Sequence, residues 1–244
     1  MKILAFDSSN QALTVAVVEE KKLLSEQIIN VKRNHSIQLM PAIDEALKQA
    51  NLSLDDIDRI AVAKGPGSYT GLRIAVTIAK SLAWSKSIDL VGISSLKTLA
   101  ANSLGGNNKL IVPLFDARRE NIYTGLYKRD ENKKLIAIES DTHISAEHWA
   151  SFLASEYKDY QIELLGTDAE KFLDVFNKRL GDKVELSLPE QDLPRASALA
   201  FLAQTEDLVE NHHLTPAYLK LAEAEENWLE EHPDFEGGNL VEKV

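Results

Sequence analysis

Gly65-Pro66-Gly67-Ser68-Tyr69-Thr70-Gly71-Leu72-Arg73 is the stretch whose reading decides the fold. It separates a short apolar run, Ile60-Ala61-Val62-Ala63, from a segment of helical periodicity that begins near Thr70, and so reads as a strand-to-helix turn. Three glycines at such a turn expose backbone N–H groups at the positive end of the helix dipole, an arrangement suited to an anion. The loop lacks the Gly-Lys-Ser/Thr ending of a nucleotide P-loop and the third glycine of a dinucleotide fingerprint. It is not a Gly-x-Ser-x-Gly elbow either, because Tyr69 holds the middle position; Ser68 and Thr70 are better read as helix N-cap candidates.

Working outward, the spacing predicts strands over 2–7, 12–18 and 23–31, joined by tight turns as an antiparallel meander. A helix follows over 36–50, with Leu39, Ile43, Ala46, Leu47 and Ala50 on one face, then the strand over 57–63 and the helix over 70–85. A strand over 90–93 leads to a third helix, capped by Ser94 and ending at Gly105-Gly106. A similar order then restarts: strands over 110–115, 121–127 and 135–139, a helix from Ser145 to about 156, a strand over 162–165, and helices over 168–179 and 197–210. A duplicated β-β-β-α-β-α module is the plan of the actin/sugar-kinase/Hsp70 (ASKHA) α/β fold. It divides the chain into subdomains 1–106 and 107–221 and an acidic tail, 222–244, expected as a short fraying helix.

Several segments together resemble the TsaB (YeaZ) family: Ile3-Leu4-Ala5-Phe6-Asp7-Ser8-Ser9, His35-Ser36-Ile37-Gln38-Leu39-Met40-Pro41, the glycine-rich turn, Val91-Gly92-Ile93-Ser94-Ser95-Leu96, Pro113-Leu114-Phe115-Asp116-Ala117-Arg118-Arg119 and Pro216-Ala217-Tyr218-Leu219-Lys220. The last departs from the family's Pro-x-Tyr-Leu-Arg by a lysine. The resemblance implies the ASKHA fold and a non-catalytic role in making threonylcarbamoyladenosine in tRNA. It implies a heterodimer with the related transferase TsaD through the first two helices, docking of the ATPase TsaE on that pair, and homodimerisation when the chain is alone.

Composition sets bounds on these expectations. The 244 residues, 44% hydrophobic, suffice for one sizeable core or two small ones. Zero cysteines exclude disulfides, thiolate metal sites and cysteine nucleophiles, and a net charge of −11 opposes tight independent binding of RNA, so tRNA is expected only through the complex. No apolar run is long enough to span a membrane, and Asp7 interrupts what a secretory signal would need, so the chain reads as cytoplasmic.

The second helix carries most of the functional content. Leu72, Ile74, Ala75, Val76, Ile78, Ala79, Leu82 and Ala83 cover roughly twice the ~100° arc that packing on one sheet requires. Gly71, Ala75, Ala79 and Ala83 form a small-residue ridge that admits another helix closely. Either a partner helix meets this ridge, or the chain's own first helix and sheet bury it. With Ile37, Met40 and Asp44 of the first helix, the residues Gly71, Ile74, Ala75, Ile78, Ala79 and Leu82 make up the expected interface.

Other candidates are weaker. Asp7-Ser8-Ser9 occupies the turn where kinases of this fold hold phosphate and Mg²⁺, and reads as a vestigial nucleotide turn or as a plain Asx turn. The matching turn of the second half, Asp116-Ala117-Arg118-Arg119-Glu120, lacks glycine, which weakens a small-molecule kinase reading. TsaD holds a metal through a His-x-x-x-His pair on its first helix; here Leu39 stands four after His35, which argues against a glycoprotease-like metallohydrolase, and no metal or cofactor is expected.

Overall fold

A computed structural model describes residues 1–31, 35–106 and 108–220. The first half runs β1 (Lys2–Asp7), β2 (Leu13–Glu19), β3 (Lys22–Ile29), α1 (His35–Gln49), β4 (Arg59–Gly65), α2 (Tyr69–Lys86), β5 (Asp89–Ser94) and α3 (Ser95–Ala100). The second runs β6 (Lys109–Asp116), β7 (Asn121–Arg129), β8 (Leu135–Ser145), α4 (Ala146–Glu156), β9 (Gln161–Leu165), α5 (Ala169–Leu180), β10 (Val184–Leu186) and α6 (Ala196–Leu202).

Two five-stranded sheets result, with equivalent orders β3-β2-β1-β4-β5 and β8-β7-β6-β9-β10. In each, the first three strands are antiparallel and the fourth lies parallel to the first. Helices cover both faces, which is why β1 and β6 are apolar almost throughout instead of alternating. On the first sheet, α1 and α2 share one core with Leu4, Phe6, Val15 and Val62. The opposite face packs on α6 through Ile3, Ala5, Ala61 and Leu199. On the second sheet, Trp149, Leu153, Phe172 and Phe176 of α4 and α5 cover one face, and Leu96 and Leu99 of α3 the other. Thus α6, from the second half of the sequence, belongs spatially to the first sheet.

Three elements depart from the sequence expectation. Helix α3 stops at Ala100, short of Gly105, because the residues that follow are drawn into tertiary bonds: Asn102 donates to the carbonyls of Gln191 and Leu193, and Ser103 to Glu163. Helix α6 stops at Leu202; residues 204–220 leave it as a strap, with Val209 N–H donating to the Leu90 carbonyl and Ala217 N–H to that of Lys64. Strand β10 is three residues long, too short to leave a periodic signal. The acidic tail, residues 222–244, lies outside the described residues.

Candidate functional site

The glycine-rich turn is filled from within. Ser68 caps α2, its hydroxyl accepting from Gly71 N–H at 3.3 Å, while Ser68 N–H donates to the Ser9 carbonyl at 2.7 Å. A Cβ on Gly67 would stand 2.3 Å from the Ser9 carbonyl oxygen, and one on Gly71 2.0 Å from that of Ser8. These two glycines therefore let the β1–β2 turn press against the start of α2. Backbone donors that an anion would use are committed to that contact.

Asp7-Ser8-Ser9 forms the other side of it. All three are fully buried. Asp7 Oδ1 accepts from Ser9 N–H at 2.7 Å, the Asx turn, and the Ser8 hydroxyl donates to the Gly71 carbonyl at 2.8 Å. Burial pushes the Asp7 carboxyl above the usual carboxylate range, against the opposing pull of the Ser9 hydrogen bonds and of His35. Of the three, only Ser9 lines the cleft of about 580 Å³ between the two sheets. Across that cleft, Arg118, Arg119 and Glu120 take positive φ (67°, 50° and 62°), backbone that glycine adopts freely and charged residues adopt at a cost. Asp116 pairs with Lys171, and Tyr218 of the strap stacks on Tyr69 with ring centroids 4.8 Å apart.

His35 is held by the same turn, its Nε2–H donating to the Asn10 carbonyl at 2.9 Å. Leu39, one turn on, is fully buried in the core. Among the described residues no group of three or more His, Asp or Glu side chains is placed to hold a metal ion, and no helix is long and apolar enough to cross a membrane.

The small-residue ridge faces inward, and this corrects one of the two readings. Gly71, Ala75, Ala79 and Ala83 are buried, with Ala75, Ala79 and Ala83 in the core formed by α1, α2 and the first sheet. Small residues are needed there because α1 and α2 share one sheet face and approach closely. Gly71, Ala75 and Ala79 are therefore removed from the interface set. What stays outside is a second stripe on α2, Ile74, Ile78 and Leu82, each half-buried, flanked on α1 by Ile37 (70% exposed) and Met40 (44%). Asp44 lies exposed on the same helix and accepts from Lys48 at 2.6 Å. Trp84, 73% exposed, belongs with this face and escaped the sequence reading. The signal was available: Trp84 falls seven residues after Thr77 and four after Lys80, in the arc otherwise given to polar side chains.

Two stacked halves of equivalent topology, a cleft between them and helices on the outer faces define an actin-like α/β protein, here with its glycine-rich turn occupied by its own chain. Residues 22–228 match the family described as TsaD: tRNA N6-adenosine threonylcarbamoyltransferase. The tRNA threonylcarbamoyladenosine biosynthesis protein TsaB of Bacillus subtilis is 42% identical over 230 residues, 94% of this chain and 99% of that protein. The Escherichia coli protein of the same name is 33% identical over 133 residues, 54% of this chain and 57% of its own length. Among solved structures, YeaZ from Pseudomonas aeruginosa superposes with a TM-score of 0.74 at 25% identity, covering 89% of this chain and 99% of that one. A ROK hexokinase from Thermus thermophilus, 13% identical with a TM-score of 0.51, covers 84% of this chain and 100% of that one, and shares the fold alone. The chain belongs to the TsaB branch of the TsaD threonylcarbamoyltransferase family.

Proposed function

We propose that this chain is a non-catalytic subunit of the machinery that makes threonylcarbamoyladenosine in tRNA, and that its α1–α2 face docks a TsaD-type transferase. The observation that carries the reading is the apolar stripe Ile74, Ile78 and Leu82 beside Ile37 and Met40, left in water at a cost of about 25 cal/mol per Å². The names of its relatives support the pathway. In the absence of the transferase, a second copy covers the same stripe, giving a homodimer. A TsaE-type ATPase is the second partner, and tRNA is reached through the complex, in keeping with the net charge of −11.

Two features support a non-catalytic role. The turn that a kinase of this fold uses for phosphate is packed against α2, with Asp7 committed internally. The facing turn carries Arg118, Arg119 and Glu120 where close backbone approach to a phosphate needs glycine. The metallohydrolase alternative needs a second ligand where Leu39 is buried.

Reconstitution tests the reading: a TsaD-type transferase, the synthase of its carbamoyl donor, a TsaE-type ATPase and unmodified tRNA, with or without this chain. Modification is expected to require the chain and to be restored by His35→Ala, but not by the double variant Met40→Arg/Ile78→Arg. Full rescue by that double variant, or modification by the chain without the transferase, contradicts the proposal.

A further inference from the structure

Away from the α1–α2 face, α3, α6 and the β7–β8 hairpin enclose a groove of about 600 Å³. Its walls are cationic: Lys97, Arg129, Lys133, Lys134 and Arg195 stand against the single carboxylate of Glu206. Lys97 pairs with Glu206, and Arg195 with Glu26 just outside. Arg129 donates to three neutral acceptors, the carbonyls of Ser103, Lys133 and Ala101, at 2.8, 2.8 and 2.7 Å. Glu163 lies near it, but that carboxylate also accepts from Ser103 and sits 4.0 Å from Lys109. Among the described residues Lys133 and Lys134 have no carboxylate partner. The floor is apolar and open to water, with Leu23 and Phe201 exposed. Uncompensated cations around an apolar floor are unexpected in a chain of net charge −11.

We propose that this groove receives the chain's own acidic segment, residues 222–244. That segment holds eight carboxylates against Lys243, with Trp228, Leu229 and Phe235 set among them, so it complements both the charged walls and the floor. Reach is not limiting. The described chain ends at Lys220, and the 24 residues beyond span up to roughly 80 Å when extended, against a radius of gyration of roughly 18 Å for a chain of this size. A tether of this length gives an effective concentration near the millimolar range, which favours the chain's own segment over a second copy's at micromolar protein. The apolar floor favours an acidic aromatic peptide over a phosphodiester backbone. This proposal is independent of the α1–α2 docking face.

The absence of cysteine makes the test clean. In the full chain, Ala198→Cys in the groove is combined with Glu230→Cys in the segment, and the control pair is Ser81→Cys on α2 with Glu230→Cys. Thr205→Cys serves as a second groove position should Ala198→Cys disturb α6. Mild oxidation at micromolar protein should close an intramolecular disulfide in the groove pair at least roughly tenfold faster than in the control. The charge reversals Lys133→Glu and Lys134→Glu, both on exposed hairpin residues, and about 0.5 M salt should each bring the rate down to that of the control. Equal rates in the two pairs, disulfides only between chains, or a groove rate untouched by the reversals overturns the proposal. Retention of unfractionated tRNA that the reversals abolish, with the disulfide rate unchanged, overturns it in favour of a nucleic-acid surface.

Discussion

Ile78 and Ala79 are neighbours in the chain and meet different surroundings. Ala79 is fully buried against α1 and the sheet; Ile78 is half in water. Arginine at 79 would place an unpaired charge in the core, so Ala79→Arg should lose about 3–5 kcal/mol or fail to fold. Arginine at 78 can turn its charge outward, and Ile78→Arg should cost the monomer less than about 1 kcal/mol. Calorimetry of the two variants checks the pair; equal melting temperatures would refute the assignment of the two stripes. Asp7 offers a second residue-level test. Its carboxyl titrates above the ordinary range because burial disfavours the ion. A raised folded-state value means that its contribution to stability is complete below the unfolded pKa and is lost as pH rises through the folded one. Asp7→Asn keeps an acceptor for Ser9 N–H and carries no charge, so its melting temperature relative to wild type should climb from about pH 4 to about pH 8. A difference that stays constant across that range contradicts the account.

At the scale of elements, the strap is the feature that periodicity could not reveal. Residues 204–220 hold no regular helix or strand, yet they tie α2, β4 and β5 together: Lys80 donates to the Leu214 carbonyl at 2.9 Å, and the Leu214 side chain enters the core of the first sheet. Leu214→Ala should therefore cost about 2–4 kcal/mol, a core-sized penalty for a residue in an irregular segment, measured by urea unfolding. A cost under about 0.5 kcal/mol would show that the strap merely rests on the surface. The elements that were legible were those with a strong period and a clear punctuation mark: α2 behind its Ser68 cap, α4 behind Ser145, and the three-strand meanders. The ends of α3 and α6 were not legible, because tertiary hydrogen bonds of Asn102 and Ser103 and the departure of the strap decide them. Periodicity gave α2 an apolar arc too wide for one sheet, and that was right. Which part of the arc meets solvent depends on where α1 lies, and helix periodicity alone carries no information on that. Trp84 was overlooked for the opposite reason, since its arc was polar and was set aside as solvent-facing.

For the whole molecule, the two sheets are joined through polar as well as apolar contacts. Asp141 on β8 accepts from the Ser94 hydroxyl at the end of β5 and from the Tyr127 hydroxyl on β7, and burial raises both Asp141 and Tyr127 above their ordinary ranges. This bond and the strap brace the body that carries the α1–α2 face. The central claim is that this face is a docking surface for a TsaD-type transferase. Its most direct test is light-scattering mass of the chain, the transferase and their mixture, with wild type and Ile78→Arg side by side. Wild type, 27.1 kDa per chain, is expected as a dimer alone and as a one-to-one complex in the mixture. Ile78→Arg is expected as a folded monomer whose affinity for the transferase has dropped at least roughly 30-fold, the loss of about 2 kcal/mol at an interface anchor. A folded Ile78→Arg chain that still dimerises and still binds the transferase as wild type does would contradict the claim.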